Sequence, residues 1–477
     1  MITFFICLIA LVAAYFLYGA FIDRLVGIDP KAEVPSQRLY DGVDYVPLPR
    51  WRIFLIQLLN IAGTGPIFGA ILGACYGPVA FLWITLGGIF LGAMHDYISG
   101  VISLRNDGKS LPEIIGKYLG RGMHRFTLVM IPVLMILVGA VFIVTPSQIL
   151  ADKTDLPYLM WVGVIIVYYF VATLLPVDKI IAKIYPIFGA SLIFMALALL
   201  GVLLIGDYAV PELTTLKNMH FNAERLPIIP TLFISIACGA ISGFHATQSP
   251  IMARCMNNER EARPIFFGAM ISESIVALIW AAIAMAFFGG VQGLNDFMQA
   301  NGSNAGLAVS VISDTTLGTI GSILAILGVV AAPITSGDTA FRSARLIIAD
   351  MVGYDQKPIM KRLVVSIPLF AIGIGIAFID FDVIWRYFAW SNQALSVITL
   401  WMITAWLMRR KSRWSFIALV PAIFMTYVCS SFIFVSTQFV GLGACTEAYA
   451  YGGAMTAIIS GLLMLNIRKD VKRGLTV

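Results

Sequence analysis

The sequence predicts an all-α membrane protein of about thirteen transmembrane helices, ten of them arranged as two inverted repeats of five. Three observations carry this reading. Of 477 residues, 59% are hydrophobic and only 12% charged, with a mean hydropathy of +0.89; soluble domains carry about 25% charged residues. The apolar residues gather into stretches of roughly 20, the length that crosses ~30 Å of hydrocarbon. The basic residues gather into alternate loops. Together these exclude a soluble enzyme, a nucleic-acid-binding protein and a disordered chain. Alternating strand patterns are absent, which excludes an outer-membrane barrel.

The thirteen stretches run near 2–20, 53–75, 78–102, 124–145, 157–175, 185–206, 228–247, 264–289, 318–337, 362–379, 383–407, 414–436 and 447–466. In hydrocarbon every backbone group needs an internal partner, so each is expected to be helical. The first does not read as a cleaved signal: its first charges, Asp23 and Arg24, follow the apolar run. Loops after odd-numbered stretches hold 28 of the 32 Lys and Arg residues. Loops after even-numbered stretches hold only Lys153, Lys217 and Arg225. This bias places the N-terminus outside and the C-terminus in the cytoplasm of a bacterial inner membrane. The net charge of +6 is thus a matter of topology rather than of a nucleic-acid partner.

Residues 1–477 read as a single polytopic domain. Within it, 1–52 form a peripheral helix and a cytoplasmic loop, 53–206 the first repeat and 228–407 the second. Residues 414–477 supply two more peripheral helices and a cytoplasmic tail. Segment 339–351 has the pattern of an amphipathic helix lying on the inner surface. The six cysteines show no metal-ligand spacing, and Cys75 with Cys445 is the only pair that invites a disulfide test. No nucleotide-binding loop, GxSxG or HExxH motif is present, so neither an enzyme nor a cofactor or metal is expected.

Three stretches carry Gly, Pro and small polar residues at mid-depth: Asn60–Pro66, Cys238–Pro250 and Ala332–Thr339. Such clusters serve either as packing notches or as openings in the helix, since Pro removes a donor and Gly tolerates non-helical dihedrals. The first two fall in the second and seventh stretches, five apart. An odd number of helices reverses orientation, and broken helices at matching places in inverted halves point to a midplane binding site. Gly63, Thr64 and Gly65, with Ser242, Gly243, His245, Thr247 and Gln248, are therefore substrate-binding candidates. Asn392 and Gln393, in the polar trio of the eleventh stretch, join them as substrate contacts or interhelical glue.

Asp96, Glu273 and Asp338 are the acidic residues at membrane depth, where a charge costs ~2.5–3.5 kcal/mol on insertion scales. They are candidates for coupling to a proton or cation. Asp338 also has the position of a cap for the 339–351 segment. Thr335 and Ser336, with carbonyls from the Asn60–Pro66 break, would make an oxygen cage suited to Na⁺. Arg386 is expected to pair with Asp380 or Asp382 at the outer rim.

Four strings then resemble the carbon starvation protein A family: Ile61–Pro66; Ile241–Pro250 with Met252–Met256; Ile334–Arg342; and Trp385–Gln393. The resemblance covers roughly residues 50–410 in order. It implies an inner-membrane secondary transporter for peptides, pyruvate or both, driven by protons, with the fold of the amino acid–polyamine–cation (LeuT-like) superfamily. Many members of the family carry Gln where this chain has His95, and the longest extend further at the C-terminus. Peptide versus pyruvate, H⁺ versus Na⁺ and the oligomeric state stay open at this point.

Overall fold

The computed structural model describes residues 1–42, 44–174, 177–354, 358–379 and 381–473. Among these it contains helices and no strand. In chain order the principal helices are α1 (Ile2–Phe16), α2 (Arg50–Ile61), α3 (Gly65–Ala74), α4 (Val79–Leu104), α5 (Arg121–Thr154), α6 (Tyr158–Leu174), α7 (Val177–Ile205) and α8 (228–235). They continue as α9 (Gly243–Ala253), α10 (Glu259–Phe287), α11 (Ala305–Ala325), α12 (Ala331–Val352), α13 (Ile359–Ile376), α14 (Phe381–Arg409), α15 (Phe416–Val435) and α16 (Thr446–Lys472).

Among the described residues, eight helices are long and apolar enough to cross a membrane. The bent pair α2 and α3 makes a ninth, with 55° between its halves. Four of the thirteen apolar stretches take other forms. The 157–175 stretch forms α6, which has 17 residues. The 228–247 stretch is cut into α8 and α9, and the 318–337 stretch is divided between α11 and α12. The 383–407 stretch lies inside α14, a 29-residue helix carrying the polar trio of Ser391, Asn392 and Gln393.

The third expected opening is displaced. Residues 331–352 form one continuous helix, so Ala332–Thr339 is not broken and Asp338 is not a cap. Pro333 stands three residues after a π-helical turn, and the chain runs helical through both. The irregularities lie earlier, at Gly318 (φ 57°, ψ −142°) and in a π-helical turn over Ile326–Val330. Segment 339–351 is likewise not a surface helix. It is the second half of α12, with Ala340, Phe341, Arg342, Ala344 and Arg345 buried, packed along α5. The Arg342 guanidinium donates to the Ala172 carbonyl at 2.9 Å, which gives the buried cation a partner that a surface position would not require.

α10 is the central post. Residues Ala277 to Met285 are all buried, and α1, α2, α3, α4 and α7 pack against it. Glycines set the closest approach. A Cβ on Gly88 or Gly92 of α4 would overlap Ser274 or the Ala240 carbonyl, so small residues bring this backbone against its neighbours as in other membrane bundles. By contrast α1, α13 and α16 turn most of their apolar surface outward, as helices facing lipid do. All six cysteines are free, with Cys75 buried and Cys445 partly so; the Cys75–Cys445 pairing does not form.

On the face that carries most of the basic residues, the 27–49 segment lies across the end of α9. The Leu48 amide donates to the Cys255 carbonyl at 3.0 Å. Glu259, 2% exposed, accepts from Arg105 Nε and Nη2 at 2.6 and 3.1 Å and from the Asp29 amide at 2.5 Å. Arg105 also donates to the Val26 and Gly27 carbonyls. Arg386 Nη1 lies 3.4 Å from Gln438 Oε1; the expected partners Asp380 and the Asp382 side chain lie outside the described residues.

Candidate functional site

Two helices are broken side by side. α2 stops at Ile61, Ala62 leaves helical space (φ −84°, ψ 51°), and α3 restarts at Gly65 with Pro66 in its first turn. α8 stops at Ser235, Ile236 turns away (φ −93°, ψ 73°), Ser242 is extended (φ −145°, ψ 127°), and α9 starts at Gly243. The opening is thus 236–242, and Gly243 to Pro250 are helical rather than open. The two breaks touch: a Cβ on Gly65 would overlap Cys238, and one on Gly69 would sit 2.9 Å from the Ser235 oxygen. The Phe142 ring covers Gly63, 2.7 Å from where a Cβ would stand.

Freed backbone groups inside a bilayer need protein partners, and α14 supplies them. Asn392 Oδ1 accepts from the Phe244 amide at 2.8 Å and from Ser242 Oγ at 3.0 Å. Its Nδ2 donates to Cys238 Sγ at 3.7 Å. Gln393 Nε2 donates to the Phe233 carbonyl at 3.1 Å. Trp83 Nε1 donates to the Ile236 carbonyl at 3.1 Å. Asn392 and Gln393 therefore hold the two stubs of the broken helix, one each. Thr247 Oγ1 donates to the Phe244 carbonyl at 2.6 Å and accepts from Gln248 Nε2 at 3.0 Å.

Four titratable side chains meet beside these breaks. His95 Nδ1 is 2.7 Å from Asp96 Oδ1, and His245 Nδ1 is 2.7 Å from Asp96 Oδ2. His245 Nε2 is 3.4 Å from Glu273 Oε2. All four are 0% exposed. Two imidazoles bracket one carboxylate, and the far nitrogen of one faces a second carboxylate. A proton passing from Glu273 to His245 would convert a neutral pair into an ion pair whose imidazolium also faces Asp96, so charge created here is met on both sides.

Asp338, Thr335 and Ser336 form a second group on α12. Tyr185 donates to Asp338 Oδ2 at 3.2 Å, and Arg342 Nη2 lies 3.6 Å from the same oxygen. Ser336 Oγ donates to the Leu59 carbonyl at 3.1 Å, just ahead of the α2 break. Thr335 Oγ1 donates back to Ala332 of its own helix at 2.8 Å. Ser336 thus reaches the second stretch one residue ahead of the Asn60–Pro66 segment, while Thr335 is turned to its own backbone.

The structure adds residues that the motif reading left aside. Gln57 and Asn60 are 0% exposed, and none of their four amide atoms has a partner; Thr64 Oγ1 and Gln248 Oε1 are likewise unpaired. Buried polar atoms are almost always paired, so these are candidates for contact with a polar occupant. The amides at positions 57 and 60, one helical turn apart and leading into the break, were the available signal. The donor atoms of Cys238, His245 and Glu273 lie within 4.8 Å of one another, the single such grouping among the described residues. Cys238 Sγ is already engaged by Ser242 and Asn392, so the grouping belongs to the polar chain.

The family model for carbon starvation protein CstA matches residues 1–155, 143–319 and 300–431. An uncharacterized membrane protein of Haemophilus influenzae is 41% identical over 65% of this chain and 98% of its own length. The peptide transporter CstA of Campylobacter jejuni is 24% identical over 86% of this chain and 76% of its own. The pyruvate/proton symporter BtsT of Escherichia coli is 27% identical over 56% of this chain and 46% of its own, so the chain spans about half the length of that relative. Among solved structures, the Eremococcus coleocola manganese transporter aligns with a TM-score of 0.55 at 14% identity, covering 91% of this chain and 99% of that one; this is a likeness of fold.

Proposed function

Since the chain belongs to the carbon starvation protein CstA family, we propose that it is a proton-coupled symporter importing short peptides, pyruvate or both across the bacterial cytoplasmic membrane by alternating access. The observation that carries the reading is the fully buried chain His95–Asp96–His245–Glu273 beside two broken helices in contact. Relatives named as a peptide transporter and a pyruvate/proton symporter support the substrate class. The matched breaks support two inverted five-helix repeats within about thirteen spans. The basic-residue bias supports an outer N-terminus and an inner C-terminus.

In this mechanism the N-terminal ends of α3 and α9 turn positive dipole ends toward a substrate carboxylate. The unpaired Gln57, Asn60, Thr64 and Gln248 atoms take its other polar groups. Glu273 receives the proton, His245 relays it, and Asp96 orients both imidazoles. Substrate and proton together favour the inward-facing form, as a ligand shifts a conformational equilibrium by its differential affinity. Asp338, held by Tyr185 and Arg342, is the second coupling candidate, and Na⁺ at Ser336 the alternative driver.

The test is uptake of labelled pyruvate and of labelled alanyl-alanine in proteoliposomes under separate H⁺ and Na⁺ gradients. Glu273→Gln is expected to abolish uptake driven by a pH gradient while leaving exchange of labelled for unlabelled substrate intact. Full gradient-driven uptake by that variant would remove Glu273 from the mechanism. Binding without accumulation in the unaltered protein would make it a nutrient sensor instead.

A further inference from the structure

On the proposed cytoplasmic side, a cavity of about 800 Å³ opens where α1 and the Tyr18–Val26 helix after it meet the first turns of α2 and α10. Four guanidinium groups line it, those of Arg24, Arg50, Arg260 and Arg263, against one carboxylate, Asp23. That carboxylate is already engaged: Arg263 Nη1 lies 3.1 Å from its Oδ2, and the Tyr97 hydroxyl donates to its Oδ1. Arg24, Arg50 and Arg260 are exposed, and none of their guanidinium groups has a hydrogen-bond, ion-pair or ring partner among the described residues. Glu259 and Glu261, in the same first turn as Arg260, do not answer it. Glu259 is held by Arg105 and the Asp29 amide, and Glu261 Oε2 accepts from the Asn257 amide at 3.2 Å. α2 has no acid in its first turn, so Arg50 stands against the positive end of its own helix, a placement that an arriving anion relieves. The other wall is apolar, with Tyr15, Trp51 and Phe54. Trp51 is 57% exposed, and Phe16 and Leu17, next to Tyr15 in the chain, are 64% and 74% exposed.

We propose that this cavity holds the phosphate headgroup of an anionic phospholipid, with the acyl chains lying along Phe16, Leu17 and Trp51. Guanidinium forks match phosphate oxygens, and basic pockets between transmembrane helices on the cytoplasmic side take such headgroups. The positive-inside bias accounts for basic loops. It does not account for three unanswered guanidinium groups converging on one hollow beside exposed apolar surface. A soluble phosphate shares the charge chemistry but has no use for the apolar wall. The proposal needs a membrane-spanning chain and is independent of what the chain carries.

The experiment uses the full chain in nanodiscs of phosphatidylcholine mixed with phosphatidylglycerol brominated on its acyl chains. The readout is the quenching of Trp51 fluorescence, identified as the component lost in Trp51→Phe. Quenching against lipid fraction gives the affinity for phosphatidylglycerol relative to phosphatidylcholine at this place. A preference of about tenfold or more is expected, and Arg24→Gln, Arg50→Gln and Arg260→Gln should each lower it about fivefold, the worth of one basic residue near an anionic surface. Arg473→Gln, which changes an exposed arginine outside the cavity, should leave it unaltered. All four side chains are exposed, so the variants are expected to fold, and melting curves check this. No preference in the unaltered protein would overturn the proposal. So would an undiminished preference in the three folded cavity variants, or an equal loss in Arg473→Gln. Inorganic phosphate added to lipid-free protein in detergent is the remaining arm. A rise in melting temperature there, with no lipid preference in nanodiscs, would assign the cavity to a soluble phosphate and overturn the lipid site.

Discussion

Asn392 shows how one side chain decides whether a membrane helix can stay open. Its oxygen caps the Phe244 amide and takes the Ser242 hydroxyl, while its nitrogen reaches Cys238. Replacing it with Leu would strand a buried N–H, at a cost of about 1–3 kcal/mol. We expect Asn392→Leu to lower the melting temperature in detergent and to abolish uptake; an unchanged melting curve would show that water replaces the cap. The polarity of this position was legible in the sequence, because an amide at membrane depth needs a partner. Which partner it takes was not: Asn392 and Ser242 are far apart in the chain, and only the packing of α14 across the gap joins them. The same holds for Asp96, which sequence marked as costly but which acquires its meaning from His245 on another helix.

Among the helices, glycine governs the crossings. A Cβ on Gly243 would lie 2.5 Å from the Asn392 carbonyl oxygen, Leu395 Cβ and Ser396 N, two of them backbone atoms that cannot rotate aside. Gly243→Ala should therefore push α9 off α14, with the 1–3 kcal/mol typical of overpacking. It should reduce uptake more than Gly453→Ala, a site with open space around it. Equal activity of the two variants would mean that the crossing is soft. The openings in the second and seventh stretches were readable from Gly–Pro clusters, since few other residues leave a helix cheaply. The Ala332–Thr339 cluster has a similar composition and stays helical, with the irregularity taken up in the π-helical turn just before Pro333. Composition marks where a helix is free to break without deciding whether it does.

For the molecule as a whole, one end is latched and the other is hollow. Glu259 binds Arg105 and the Asp29 amide across three segments, while a cavity of about 280 Å³, walled in part by Tyr76 and Trp385, lies beyond the α8 stub. Glu259→Gln should loosen the latch and expose Cys255, which is 5% exposed. With the other five of the six cysteines changed to Ser, its labelling by a maleimide in inside-out vesicles should quicken several-fold; an unchanged rate would show that the 27–49 segment is not a barrier. The helical, membrane-spanning class and the loop charge were legible because hydropathy and insertion act on local sequence. The latch was not, because its members sit in loops whose spacing carries no periodic signal.

Neighbouring side chains on a single turn of α14 clasp opposite lips of the gap, Gln393 at Phe233 and Asn392 at Phe244. Any tilt of that helix must carry both lips as one piece. The aperture would then swing without widening, like a slot cut in a turning shaft, so cargo could change sides with the amides around it keeping their spacing.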